Sequence, residues 1–410
     1  MKDRHRTILR AGHRVQLLQG GQELFPAMCA AIDEAVHEVR METYIFNADP
    51  AGERVVASLV QAARRGVSVF LVVDGAGTPR LPLPWMVRLE AAGVQWRIFN
   101  PLGHLGLLLP SRWRRLHRKL CVVDGQVAFC GGINVLDDWV DPNHGRLKAP
   151  RFDFAVRVAG PLVGAVHEVM TQGWWRLQAA RTAREADWPA AWHALQEAVR
   201  TAWTAQGPPA WPAAPGADPG ARAALLLRDN VRHRRRIEFA YRKAIAEARE
   251  EIVIANAYFL PGRRLRQALI DAVQRGVRVR LLLQGRYEYF LQYHAVRPVY
   301  GPLLQAGVEI HEYSPSFLHA KVAVIDGRWA TVGSSNLDPL SLLLAREANV
   351  LVDDEAFAQD LRARLAHAME HEGRLVDYAS YANRPWHQRL LDRVAFGLMR
   401  AGIFLSGNRY

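Results

Sequence analysis

Two short segments hold the residues best suited to chemistry: HRKLCVVDGQVAFCGGIN from His117 and HAKVAVIDGRWATVGSSN from His319. In both, Lys follows His by two positions, Asp follows Lys by five, and Asn follows Asp by ten. Side chains alternate along a strand, so His117 and Lys119, like His319 and Lys321, share one face at one end of a sheet. The Gly-Gly or Gly-Ser-Ser after the return strand brings the chain back with Asn134 or Asn336. Each segment thus gathers an imidazole, an ammonium and an amide.

That set fits a phosphodiester. Lys offers a point charge to the non-bridging oxygens, while Asn134, Asn336, Ser334, Ser335 and the backbone amides of small residues offer directed hydrogen bonds. An ammonium has no lone pair to donate and repels cations, so the pattern predicts chemistry with no metal and no other cofactor. A single copy is half a catalyst. Displacing an alkoxide needs a neutral imidazole to attack and a protonated one to protect the leaving oxygen. The second copy supplies the partner: His117 and His319 are expected to face one phosphorus about a pseudo-twofold axis, flanked by Lys119 and Lys321. Asp124 and Asp326 complete the catalytic motif, although a place at an Asp-Gly turn suits structural hydrogen bonding better than proton transfer.

The duplication extends through the elements that must hold these segments. Helical patterns at AAIDEAVHE and AIAEAREE run into the strands VRMETYIF and IVIANAYFL. Helices closing at Gly66 and Gly276 follow, each Gly placed as a C-cap, and then the strands VSVFLVVDG and VRVRLLLQG. Another helix leads to EAAGVQWRIFNP or LQAGVEIHEYSP, and each half then reaches its motif. Helix alternating with strand at this spacing predicts an α/β fold, each half a mainly parallel mixed sheet covered by helices. The Pro/Gly/Ala-rich run at 204–220 reads as a linker. It divides an N-terminal domain, 1–203, from a C-terminal one, 221–383, with a basic amphipathic tail at 384–410.

Bulk composition narrows the partners. A formal charge of +13 calls for an anionic one: nucleic acid, an acidic membrane surface or a phosphate-bearing substrate. Three cysteines without a CxxC give neither a disulfide framework nor a zinc pattern, and Cys121 and Cys130 read as buried small hydrophobes, which suits a reducing cytosol. The N-terminus lacks the apolar core of a secretory signal, and no uncharged run reaches the length of a membrane span.

The paired HxKxxxxD motif with its following GxxN resembles the phospholipase D superfamily. More narrowly, RRLHRKLCVVDG, FCGGINV, FDFAVRVAGP and HAKVAVIDGRWATVGSSNLDPLSLLL followed by REANVLV resemble the bacterial cardiolipin synthase branch without N-terminal membrane spans. The resemblance covers nearly the whole chain and implies two tandem phospholipase D-like domains with one shared active site. It implies phosphatidyl transfer: one His attacks phosphatidylglycerol, glycerol leaves, and a second lipid hydroxyl resolves the phosphohistidine to give cardiolipin. By the same likeness His117 is the nucleophile and His319 the general acid and later base. A carboxylate some thirty residues past each motif, here Asp153 and Glu347, orients the His of that motif. Ala345 stands where relatives often have Asn, and Glu42 in METYIF is answered by Asn256 in IANAYF.

The expected partners are phosphatidylglycerol, other anionic phospholipids and the membrane surface, met peripherally on the cytoplasmic face of a bacterial membrane, with no nucleic acid; the oligomeric state is left open. The Leu-rich tip of HLGLLLPSRWRRLHRK suits insertion below headgroups, with Arg112, Arg114 and Arg115 on phosphates. The tail RPWHQRLLDRVAFGLMRAGIFL has apolar bulk with Arg389, Arg393 and Arg400, and suits either an anionic bilayer or docking on the domain. RYEYFLQYHAVRPVY mixes aromatics and bases and reads as a lining for a headgroup or acyl pocket. The motifs dictate the covalent step and not the acceptor, so a lipid hydrolase or a nuclease is the rival enzyme. A basic membrane scaffold is the rival of another class, opposed by intact His, Lys and Asn in both halves.

Overall fold

The motif strands consist of residues suited to the middle of a sheet. Lys119–Val123 and Lys321–Ile325 are buried at every position, as befits short apolar runs covered on both faces. The computed structural model describes residues 7–103, 106, 112–204, 220–229, 235–287, 290–338 and 345–405. The chain gathers into two compact units, one of Ile8–Asp137 with Ala155–Leu225, the other of Asp138–Phe154 with Leu226–Tyr410. Asp138–Phe154 therefore folds with the second motif although its sequence lies within the first repeat. The Leu-rich tip and all but the ends of the 204–220 run lie outside the described residues.

In the first unit the strand order is Gln95–Phe99, Ser68–Asp74, Glu38–Thr43, Lys119–Val123, Val127–Gly131, Phe154–Ala159 and Arg10–Gln19. Glu38–Thr43 runs parallel to Ser68–Asp74, and that strand parallel to Gln95–Phe99. The crossovers are the helices Pro50–Arg64 and Leu83–Ala91, in the manner of βαβ units. The motif hairpin then adds antiparallel ladders, Met41 opposite Cys121 and Cys121 opposite Phe129. Leu24, Met28 and Ile32 of the helix Gly20–Asp33 pack with Val55 and Leu59 on Val39, Met41 and Leu71. Cys29, Cys121 and Cys130 are free and buried; burial pushes the thiols of Cys121 and Cys130 up to about 12, so they behave as small hydrophobes.

The second unit repeats that order with Glu309–Tyr313, Arg278–Gln284, Glu251–Asn256, Lys321–Ile325, Trp329–Gly333 and Ala345–Asp353, adding Gly373–Leu375 beside Glu309–Tyr313. The sheets are thus mixed and helix-covered, parallel where helices cross over and antiparallel where the motif turns back. Gly66 and Gly276 end equivalent helices at φ 92° and 90°, a left-handed conformation that glycine adopts without a Cβ penalty. No described helix is long and apolar enough to cross a membrane.

Candidate active site

Asp124 and Asp326 occupy the far ends of the motif strands. Each takes a left-handed φ, 51° and 50°, followed by a left-handed Gly, the conformation that an Asp-Gly hairpin turn requires. The Asp124 carboxylate accepts the amides of Val36, His37 and Glu38 at 2.8–2.9 Å. Asp326 accepts those of Arg249, Glu250 and Glu251 at 2.9–3.0 Å. Burial raises the Asp124 carboxyl, but the amides of Glu38, Val36 and His37 outweigh it and hold the group below the usual carboxylate range. Five residues of strand, roughly 17 Å at about 3.3 Å per residue, part Asp124 from Lys119. These aspartates anchor the loop entering the neighbouring strand, and the catalytic grouping of the motif loses them to that structural task.

At the other end of the first motif, His117 is half-buried and meets the Tyr44 ring edge-on at 4.9 Å between centroids. Lys119, 6% exposed, donates to the His117 carbonyl at 2.9 Å and lies 5.5 Å from the Tyr44 ring centroid. Asn134 accepts the Ile45 amide through Oδ1 at 3.2 Å, so its Nδ2 is the group it has for a ligand. Tyr44 was not among the residues singled out from the sequence, where it only closes an apolar strand.

In the second unit Lys321, fully buried, donates to the His319 carbonyl just as Lys119 does to that of His117. The His319 ring places Nδ1 2.6 Å from Asp153 Oδ2, and Asp153, 4% exposed, also accepts the Phe154 amide at 2.8 Å. The backbone beside it is clamped: Phe152 donates to the Phe317 carbonyl at 3.0 Å, and His319 donates to the Phe152 carbonyl at 2.9 Å. The carboxylate expected to serve the first motif thus serves the histidine of the second, because Asp138–Phe154 folds into the second unit. Asp153 thereby fixes the orientation of the His319 ring through Nδ1.

Glu347 is the strand counterpart of Asp153. Ala155 lies opposite Gly131 in one unit and Asn349 opposite Gly333 in the other, and two residues back from each lies the carboxylate. Ser334 donates to Glu347 Oε2 and accepts the Ala348 amide at 3.1 Å. Ser335 offers its hydroxyl to the Asn336 carbonyl at 3.4 Å and its amide to Asn349 Oδ1 at 3.3 Å. Both serines are fully buried. Their expected place on phosphate is corrected accordingly: Ser334 positions a carboxylate, and Ser335 braces the turn that carries Asn336.

Another pair holds each His from behind. Asp74 ends its strand fully buried and accepts the amides of Leu116 and Ala76, both at 2.7 Å, with Arg115 Nη1 at 3.2 Å. Burial pushes the Asp74 carboxyl up against the opposing pull of those amides and of Arg115. Gln284, at the equivalent strand end, accepts the Leu318 amide at 3.1 Å. The residue before each motif His is therefore fixed by the end of a parallel strand. Arg115, expected on lipid phosphate, is spent on Asp74 and on the carbonyls of Asn100 and Arg112.

The two half-sites differ electrostatically at another place than the sequence suggests. By sheet register Glu42 corresponds to Ala255, and Asn256 to Thr43, since Thr43 pairs with Val73 as Asn256 pairs with Leu283. Glu42 forms a buried ion pair with Arg118 at 2.8 Å. In the second half Ala255 and Ala320 stand at those positions, so both charges are exchanged together for methyl groups.

Comparison with known proteins places this geometry. A family model described as "Cardiolipin synthase, PLD-like domain" matches residues 28–144 and 241–369, one motif in each segment. The chain belongs to that family. It is 36% identical to cardiolipin synthase B of Escherichia coli K12 over 95% of this chain and 89% of the relative. It is 28% identical to a cardiolipin synthase of Geobacillus kaustophilus over 96% of this chain and 76% of that one. Among solved structures, phosphatidylserine synthase of Haemophilus influenzae Rd KW20 has a TM-score of 0.67 at 12% identity, covering 99% of this chain and 98% of its own. That likeness extends the fold beyond the reach of sequence identity.

Proposed function

We propose that the protein is a cardiolipin synthase that moves a phosphatidyl group between two phosphatidylglycerol molecules. The 36% identity to a curated cardiolipin synthase along 95% of the chain, with His, Lys and Asn intact in both half-sites, is the observation that carries this reading. His117 and His319 divide the covalent and the acid–base work of the transfer. His117 attacks phosphorus, the bond from phosphorus to the glycerol oxygen breaks, and His319, protonated on Nε2, gives that oxygen its proton as glycerol leaves. The hydroxyl of a second phosphatidylglycerol then loses its proton to His319 and displaces His117, giving cardiolipin. Lys119 and Lys321 neutralise the non-bridging oxygens, and Asn134 and Asn336 donate to them. Asp153 keeps His319 in one tautomer and stabilises its cation. Glu347 is its counterpart by sheet register on the strand beside the second motif. The reaction takes place at a membrane surface, on the cytoplasmic face.

The test is lipid analysis after incubating the purified protein with phosphatidylglycerol vesicles in chelator. Cardiolipin and glycerol in equal amounts, lost on His117→Ala, support the reading. Phosphatidic acid in place of cardiolipin would make the protein a hydrolase, and cleavage of DNA with no lipid turnover a nuclease.

A further inference from the structure

The helix Trp386–Leu405 has two faces with different environments. At about 100° per residue, Asp392, Ala395 and Met399 fall on one side, where all three are buried against the helix Phe290–Gln305. Asp392 pins that face: its carboxylate meets His294 Nδ1 at 2.7 Å and Arg384 Nη1 at 2.9 Å. The helix therefore docks on the unit that carries His319. Its opposite arc carries Trp386, Leu390, Val394 and Leu398, exposed by 70%, 53%, 50% and 61%. Arg389 and Arg393, also exposed, border that arc on one side.

Four large apolar side chains in line form a continuous patch, where a soluble surface normally scatters them singly. The arginines select what covers it. The helix Trp188–Thr204 also exposes Trp188, Trp192, Leu195 and Val199, but its two formal charges, Glu197 and Arg200, neutralise each other at 2.6 Å and favour no partner. On Trp386–Leu405 the one carboxylate is buried and matched, so the exposed border is purely cationic.

We propose that the Trp386–Leu398 face seats the protein on an anionic phospholipid bilayer, its apolar side chains entering below the headgroups and Arg389 and Arg393 meeting lipid phosphates. The inference rests on the reading of the substrate as a membrane lipid. It extends that reading by assigning the contact to one face of one helix, which docks through its other face.

Sedimentation of the full chain with vesicles of phosphatidylcholine, with and without one quarter phosphatidylglycerol, tests the face. Turnover of short-chain phosphatidylglycerol, monomeric in solution, is measured separately. Leu390→Glu with Val394→Glu is expected to lower partitioning onto the anionic vesicles at least tenfold while turnover of monomeric lipid stays at the unsubstituted rate. Arg389→Glu with Arg393→Glu is expected to abolish the preference for phosphatidylglycerol vesicles. Unchanged partitioning of the Leu390→Glu, Val394→Glu protein overturns the proposal. So does a dimer that the same substitution turns into monomers in light scattering, because the face would then cover a second copy. Should that variant melt early, Trp386→Ser takes its place in the same assay with the same criteria. Failure of the unsubstituted protein to turn over monomeric lipid counts against the substrate reading, whereas partitioning decides the face.

Discussion

Asp153 is encoded in the first half of the duplicated sequence, yet its carboxylate holds Nδ1 of His319, the motif histidine of the second half, at 2.6 Å. Both belong to one compact unit, because the segment that ends at Phe154 leaves its own repeat to join the other. The bond fixes which nitrogen of His319 carries the exchangeable proton. Asp153→Asn keeps the shape and offers the wrong donor pattern. It should lower kcat on the order of a thousandfold with KM and melting temperature little changed. A kcat within tenfold of the unsubstituted protein would remove Asp153 from the catalytic account.

Asp124 should behave differently, although it stands in the same motif. Its three amide bonds anchor the turn before Glu38–Thr43, so Asp124→Ala is expected to cost about 2 kcal/mol in denaturant unfolding. Rate per folded molecule should stay within severalfold. The sign of the pH dependence follows from its lowered pKa. A carboxyl whose folded value lies below the ordinary 3.8 contributes stability that is present above that value and lost as pH falls through the folded one. The gap between the two proteins should therefore be full at neutral pH and narrow as pH drops below about 4.

Much of this was legible because the chain is written twice. A motif repeated in register fixes strand, turn and return strand together, and the Gly66 and Gly276 caps and the Asp-Gly turns follow from local conformation alone. The partner of Asp153 was not legible, since distance along the chain does not say into which unit a segment folds. Nor was the true counterpart of Glu42. Matching Glu42 to Asn256 by polar type slips the alignment by one residue, and in a strand one residue turns a side chain to the opposite face. Ser334 misled for a related reason: a hydroxyl near a motif Lys reads as a phosphate ligand until the strand bearing Glu347 is seen beside it.

The strand-end pair Asp74 and Gln284 was visible as VVDG and LLQG but had no chemistry to recommend it. Both accept the amide of the residue before the motif His, and Gln284 does so without charge. Asp74→Asn keeps an oxygen for the Leu116 amide but turns its NH2 toward the Ala76 amide and Arg115, both donors, so it should lose activity about tenfold, short of the loss in Asp74→Ala. Asp74→Ala leaves the buried Leu116 amide without an acceptor and Arg115 without its carboxylate, and should cost about 2–4 kcal/mol along with most of kcat. Equal losses in the two variants would mean that the charge of Asp74, rather than its acceptor geometry, is what holds His117.

The buried pair Glu42 and Arg118 offers a test that the second half of the chain has already run. A buried ion pair gains little over a well-packed apolar pair, but removing one partner strands the other, which costs about 3–5 kcal/mol. Glu42→Ala and Arg118→Ala should each destabilise the protein by that order. The double substitution reproduces the Ala255 and Ala320 arrangement and should cost less than the sum of the two by at least about 2 kcal/mol, the remainder reflecting the cavity left beside Gly173, whose Cα faces Glu42 in the helix Leu162–Arg184. Additive losses in a double-mutant cycle would mean that the two charges are held independently, and the joint exchange between the halves would then need another cause.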